Sequence, residues 1–403
     1  MAQSRPQSDA ISARPAGPRP VYKPIDLDID APSLDFTQDI AKFLNDFYNE
    51  YLGFKKELRH DYSLDYSMSV SVIPQWGTPN GGPGVVQMVY TPNITWSPVT
   101  NTAIGSGSFT FAMQQTQFWT KATTEVQQAR LGLITPPNVQ TVNLREYNQL
   151  MYTHTFPGAW SWLSATVGQY TFAAYDSSQY AGNAQTNFIS YPLAQNATQT
   201  YANGGIGAYA QAATPDQQLT FAGGFQGATN VAGDALSTRG FSTGKYAYFM
   251  AGEWAPNFLG GGTYSLLGYY QPAVLQQPTN SPGISFSAVQ NVNSKWGLFL
   301  RANAAGGAAI PIESSVAWGG IYNNPFERNR LDQLGLGVFW DKTNLKAVGQ
   351  PARHAEWGAE LYYNYALFKG LWLTPDLQIY FDPARHTGAG PAAVFTIRST
   401  AFF

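Results

Sequence analysis

The sequence has no cysteine, and this absence removes several classes of chemistry at once. Thiolate catalysis, disulfide bonds and zinc sites with cysteine ligands are all excluded. Charged residues are also scarce, because they make up 12% of the 403 residues, which is about half the usual share. The formal net charge is −2, so the composition gives no electrostatic basis for binding nucleic acid.

A long apolar run is missing as well. No stretch approaches the roughly 18 consecutive apolar residues that a membrane-spanning helix needs. If the chain spans a membrane, it must do so as a closed barrel, because lipid offers no partner to the backbone groups of an open sheet edge. The residues after Met1 lack the apolar core of a signal sequence, so we interpret the chain as a mature form whose export signal has been removed.

What the sequence does contain is strict alternation of apolar and polar residues. Between Asp61 and Ser71 the odd positions are all Asp or Ser. The even positions form an apolar face: Tyr62, Leu64, Tyr66, Met68, Val70 and Val72. A strand of about twelve such residues is long enough to cross a membrane at a tilt. Its apolar face would contact lipid and its polar face a watery lumen.

The same alternation recurs along the chain and predicts the fold. Further apolar-and-polar segments follow at 86–96, 109–113, 150–156, 163–167, 246–254, 334–338, 361–365 and 395–403. Amphipathic strands with short breaks are typical of an up-and-down meander. We therefore predict an all-β protein, a transmembrane antiparallel β-barrel of about 16 strands over residues 59–403. The last strand ends on an aromatic residue, Phe403, as strands of outer-membrane barrels generally do.

The N-terminal part has a different pattern. Residues 1–34 are rich in proline and predict an extended or disordered lead. From 35 to 58 the apolar residues fall at three- and four-residue steps, which predicts an amphipathic helix. We expect this helix to act as a plug or a periplasmic cap of the barrel. A helix that docks a periplasmic protein partner, or that lies on the membrane surface, is the open alternative.

The few charges are candidates for the pore. By strand parity, Arg398, Glu360 and Glu253 face away from lipid and so line the lumen, where a charge is tolerated. Further candidates for the lumen or its constriction are Arg130, Arg145, Arg301, Arg328, Arg330 and Asp332. The alternative for several of them is a paired surface or turn charge.

Aromatic side chains near the predicted strand ends are candidates for anchoring the barrel. Trp76, Trp96 and Phe403 would lie in aromatic belts at the two membrane interfaces. A sugar-stacking platform is the alternative interpretation for the tryptophans. In either case we expect outer-membrane lipid as a partner of the barrel wall.

The uncharged stretches favour a neutral solute. Residues 66–120, 177–215 and 254–294 contain no Asp, Glu, Lys or Arg, and Gln, Asn, Ser and Thr fill much of them. Ion-selective pores generally use rings of one charge. Amide and hydroxyl groups can instead replace the water around a sugar at roughly no net cost.

The C-terminal third resembles a known family. Glu360-Leu361-Tyr362-Tyr363 is followed by the segment 373–379 (LTPDLQI) and by Asp382-Pro383. This series resembles the signature of the carbohydrate-selective porin family (OprB-like). The resemblance implies a multi-pass channel for passive diffusion of sugars or polyols in a bacterial outer membrane, with no cofactor. One departure from the family is lysine, at 55 and 56, where the family's entry motif carries arginine.

Other functions have less support. The four histidines have no metal-ligand spacing, so we predict no metal site and no enzyme. A barrel that anchors or exports, docked to a periplasmic complex through residues 35–58, is the main alternative, and a barrel-embedded hydrolase is a third. Assembly as a homo-trimer is a further hypothesis that the sequence leaves open.

Overall fold

A computed structural model of the chain describes residues 38–79, 82, 84–176, 178–199, 204–230, 233–275, 277–307, 310–349 and 351–403. The predicted lead at 1–34 lies outside these residues. The helices are α1 Gln38–Tyr62, α2 Thr124–Leu131, α3 Tyr191–Ala194, α4 Arg239–Thr243 and α5 Leu345–Val348. No helix of the described residues is both long and apolar enough to cross a membrane.

Sixteen strands form the body of the molecule. They are β1 Leu64–Thr78, β2 Val85–Thr102, β3 Gly105–Phe118, β4 Leu144–Thr155, β5 Leu163–Tyr170, β6 Gly205–Ala213, β7 Leu219–Gly227, β8 Tyr246–Trp254, β9 Gly262–Gln271, β10 Ser281–Asn291, β11 Trp296–Ala305, β12 Ile312–Asn323, β13 Gln333–Thr343, β14 Ala355–Phe368, β15 Leu371–Tyr380 and β16 Ala392–Phe402. Each strand pairs antiparallel with the next, and β1 pairs with β16, which closes the barrel. The predicted barrel and its strand number are confirmed.

The alternation in each strand separates a lumen face from a lipid face. On β16, Thr396, Arg398 and Thr400 are buried, whereas Phe395, and Phe403 just after the strand, are exposed on the outside. Side chains of a strand point alternately to its two faces, so every second residue of a strand faces lipid. Lipid requires an apolar outer face, and this requirement produces the period of two in the sequence.

The two ends of the barrel differ. The connections at the end that carries α1 and Phe403 are mostly short, with only two residues between β14 and β15. The connections at the other end include the two longest, 119–143 and 171–204. Short turns are typical of the periplasmic end of such barrels, so α1 lies on the periplasmic side.

Helix α1 runs to Tyr62, past the end predicted at residue 58. The residues after 58 continue in helical geometry, and Ser63 then takes a φ of 52°, which ends the helix and starts β1. The hydroxyl of Tyr48 donates to the carbonyl oxygen of Phe402 over 3.1 Å. The helix therefore packs on the periplasmic rim of the barrel.

Candidate functional site

Residues 171–204 connect β5 to β6 and are called the lumen loop below. Their described parts, 171–176, 178–199 and 204, cross the interior of the barrel. At one end Phe172 donates its backbone N–H to Gln226 on β7 over 3.0 Å. Further along, the carbonyl oxygen of Gln185 accepts from Thr400 on β16 over 3.0 Å. Strands β9, β10, β13 and β14 also bond to this loop. A segment that touches strands on opposite sides of the ring must lie inside it.

Arg398 binds the backbone of the lumen loop. Its Nη1 donates to the carbonyl oxygens of Ala184 and Asn187, the latter over 2.9 Å. The side chain is 1% exposed, so the guanidinium meets acceptors of the loop rather than open water. A buried charge has to find partners of this kind, because leaving water is costly.

Glu360 lies on β14, near Arg398 in the wall, and it accepts hydrogen bonds from the same loop to which Arg398 donates. Its two carboxylate oxygens accept from the backbone N–H groups of Ile189 and Ser190, over 2.6 Å and 2.9 Å. Two side chains predicted to face the lumen are thus on that face, and each holds the loop in place.

Arg301 and its surroundings hold an earlier part of the loop. The Nη2 of Arg301 donates to the carbonyl oxygens of Ala181 and of Asp176, the latter over 3.4 Å. The hydroxyl of Ser285 on β10 donates to the Asp176 carboxylate. The lumen loop is therefore bonded through charged groups to β11, β14 and β16.

The lumen loop also carries its own apolar contacts. The ring of Phe188 packs against Phe299 on β11 and Tyr362 on β14, with centroids 5.2 Å and 5.0 Å apart. Leu193, in α3, is fully buried in the same cluster. On β1 the apolar Ile73 interrupts the polar face of the strand and packs on the loop. A buried apolar core of this kind fixes the loop against the wall.

Gln185 is a further contact point, which the sequence did not identify. Its Oε1 accepts from Ser69 over 2.9 Å and from Thr91 over 2.7 Å, and its Nε2 donates to Ser71 over 3.0 Å. Ser69 and Ser71, which form part of the polar face predicted for β1, therefore bind a side chain of the loop. The only sequence signal was the uncharged, amide-rich composition around position 185.

The connection between β3 and β4, residues 119–143, also contacts the lumen face of the wall. Glu356 on β14 accepts from the backbone N–H of Ile134 over 2.9 Å and from the hydroxyl of Thr135 over 2.8 Å. Gln378 on β15 donates to the carbonyl oxygen of Pro137 over 3.0 Å. These acceptors and donors sit on the lumen face of the wall.

Between the two loops and the wall of β3 and β4 lies a cavity of about 370 Å³. It is lined mainly by neutral polar side chains, among them Gln114, Thr116, Gln140, Asn148, Gln195 and Asn196. Glu146, Asp176 and Arg301 contribute the acidic and basic side chains of its lining. Glu146 and Asp176 were missed from the sequence, because nothing in the chain order connects them.

The remaining charged candidates lie elsewhere. Arg130 on α2, Arg145 at the start of β4 and Arg330 in the β12–β13 connection are exposed. In that same connection the Arg328 guanidinium pairs with buried Asp332. A separate candidate, Glu253, is half-buried near the end of β8. Their part in solute passage stays a prediction.

The predicted anchor residues are on the lipid side. Trp76 stacks on Phe395 with centroids 6.1 Å apart, and Trp96 stacks on Phe109 at 5.9 Å. Trp96 pairs with Leu64 at the periplasmic start of β1, whereas Trp76 lies near the other end of that strand. Exposed aromatic rings at both ends are the arrangement of an interfacial belt, and exposed Phe403 directly follows β16.

Comparison with known proteins places this barrel among porins. A sequence model described as "Carbohydrate-selective porin, OprB family" matches residues 272–403. Porin AaxA of Chlamydia felis is 32% identical over 355 residues, which cover 86% of this chain and 78% of that protein. Porin AaxA of Chlamydia pneumoniae is 32% identical over 344 residues, covering 83% and 78%.

Solved structures agree in fold. The high-pH structure of Pseudomonas putida OprB superposes with a TM-score of 0.71, at 14% identity, over 88% of this chain and 97% of that one. The sixteen-stranded barrel, the family motif in its C-terminal third and the identity to porins across most of the chain agree with one another. The chain belongs to the carbohydrate-selective porin family, OprB.

Proposed function

The chain is an outer-membrane channel and not an enzyme, and we propose that it passes small neutral sugars or polyols by passive diffusion. The observation that carries this proposal is the lining of the 370 Å³ cavity. Its volume falls within the range of about 300–1,000 Å³ that small-molecule sites occupy. Amides and hydroxyls on its wall can donate to and accept from sugar hydroxyls in place of water.

The lumen loop sets the width of the passage in this proposal. Arg398, Glu360 and Arg301 bond to its backbone and so fix how far it reaches across the barrel. Their role is then to position the loop, while the amide side chains of the cavity contact the solute. A fixed, neutral constriction selects by size and hydrogen-bonding pattern and not by charge.

Acidic and basic side chains at the cavity make charge selectivity the natural test. Glu146 and Asp176 are acidic residues and Arg301 is a basic one, so the formal charges of the three sum to −1. Such a charge attracts cations and repels anions but has little effect on a neutral sugar. Replacing Glu146 by Gln should therefore change the passage of ions and leave that of sugars nearly unchanged.

The experiment is solute entry into liposomes that contain the purified protein. Neutral mono- and disaccharides are compared with amino acids and small anions of similar size, in the wild type and in Glu146→Gln. We expect monosaccharides to enter fastest, and the variant to change only the ratio of cation to anion entry. Faster entry of charged solutes than of sugars would contradict the neutral-solute proposal and leave the channel itself intact.

A further inference from the structure

Helix α1 is seated on the rim of the barrel by contacts with both faces of its wall. Arg59 pairs with Asp65, which has the lumen parity of β1, over 2.9 Å. The ring of Tyr51 meets Tyr66, which has the lipid parity of the same strand, at 6.3 Å between centroids. The two contacts define which side of the helix points to the barrel axis and which to the membrane.

Continuing around the helix from these contacts leads to an apolar stripe on the membrane side. From Tyr48, which bonds to the rim, Tyr51 is displaced by about 60° around the axis. In the same direction Phe47, Phe54 and Phe43 follow at about 100° to 140°. The three phenylalanines thus lie on the side of α1 that faces away from the lumen, next to the lipid-facing surface of the barrel.

These rings are exposed although they are large and apolar. Phe43 is 67% exposed, Phe47 62% and Phe54 51%. Contiguous exposed aromatic surface is typical of a site that another phase or molecule covers. The opposite side of the helix is polar, with Asn45, Asn49, Lys56 and His60.

We propose that α1 lies in the membrane interface at the periplasmic end of the barrel, with Phe43, Phe47 and Phe54 inserted at the acyl boundary of the phospholipid leaflet. The stripe continues the lipid-facing surface of β1, so one bilayer can cover both. An amphipathic helix with a wide apolar side and a polar side is the form that lies in this plane. The helix would then anchor the protein parallel to the membrane plane, next to strands that cross the membrane.

The charges near the stripe indicate which lipid surface it suits. Asp46, Glu50 and Glu57 are exposed and lie beside the phenylalanine stripe, on its side away from Tyr51. Three carboxylates beside the inserted rings disfavour an anionic surface. The occupant we infer is therefore a zwitterionic phospholipid interface, held by apolar contact and not by charge attraction.

The absence of cysteine allows a direct test by site-directed spin labelling of the full chain. A nitroxide is attached to Phe47→Cys, to Phe54→Cys and to the matched control Asn49→Cys, whose position lies on the opposite side of α1. The proteins are reconstituted in phosphatidylcholine liposomes. Collision of each label with oxygen, which concentrates in lipid, is compared with collision with a water-soluble nickel chelate present on both sides.

The proposal expects labels at positions 47 and 54 to collide mainly with oxygen and to lose contact with the chelate, whereas the label at 49 shows the reverse. Two labelled positions guard against one variant that fails to fold, and heat-dependent migration of the barrel checks folding in each. Equal chelate contact at 47, 54 and 49 would overturn the proposal. Protection of 47 and 54 from both agents would also overturn it, because protein and not lipid would then cover the stripe.

Discussion

A guanidinium inside the barrel has to find acceptors, and Arg398 finds them on the lumen loop. Its two carbonyl partners lie 214 and 211 residues away in sequence. Strand parity alone placed the side chain on the lumen face, because Phe395, Ile397 and Ala401 form the apolar face of the same strand. Which groups it would meet there depended on how the loop folds back, and no local pattern encodes that.

Replacing Arg398 by Met tests whether the loop sets the pore width. The change removes hydrogen bonds from a charged donor, each worth about 1.5–3 kcal/mol, while keeping much of the side-chain volume. We expect the loop to loosen and the single-channel conductance in planar bilayers to rise. The matched control is Arg239→Met, at an exposed position in α4, which should leave conductance unchanged. Equal conductance in the wild type and Arg398→Met would contradict a positioning role.

At the scale of single elements, the strands were predictable and the loops were not. Lipid favours an apolar side chain at every second position of a spanning strand, so β1, β2 and β16 can be predicted from the sequence alone. Helices α2 and α3 escaped prediction because they are short, with eight and four residues. The cavity was not predicted either, because Glu146 and Asp176 line it together only through the path of the lumen loop.

Tyr48 offers a test of how α1 is held to its rim. Its ring packs edge-on against Phe368 at 5.9 Å, and burial raises the pKa of its hydroxyl above the usual value. The hydroxyl therefore stays protonated at neutral pH and donates to the carbonyl oxygen of Phe402. Tyr48→Phe keeps the ring and should weaken helix docking by about 1 kcal/mol, the usual value of one hydrogen bond.

Amide hydrogen exchange of α1 measures this loss, because a helix that detaches more often exchanges faster. Exchange in the barrel strands should stay the same, which separates docking from global stability. The control Asn49→Ala removes a polar side chain from the exposed side of the helix and should leave exchange as in the wild type. Unchanged exchange in Tyr48→Phe would mean that other contacts hold the helix.

On the scale of the whole molecule, the pairing of the barrel strands does not depend on the lumen loop. Every strand pairs with two neighbours, so the barrel needs no support from its interior to satisfy its backbone. Tyr170 and Gly205, which flank the lumen loop, are register partners on β5 and β6. The chain can therefore pass from one strand to the next through a short turn, and the loop is an addition to the channel wall.

Replacing residues 178–199 by a short Gly-Ser linker should open the lumen. The barrel is expected to fold, since its strand pairing is untouched, and the conductance and the entry of larger sugars are expected to rise. The matched control shortens residues 235–243, a stretch between β7 and β8 that includes α4 and is mostly exposed. This change should leave conductance at its original value. If neither deletion changed the conductance, the lumen loop would not form the constriction. The next candidate would be the β3–β4 connection, where Glu356 and Gln378 hold residues 134–137 against the wall.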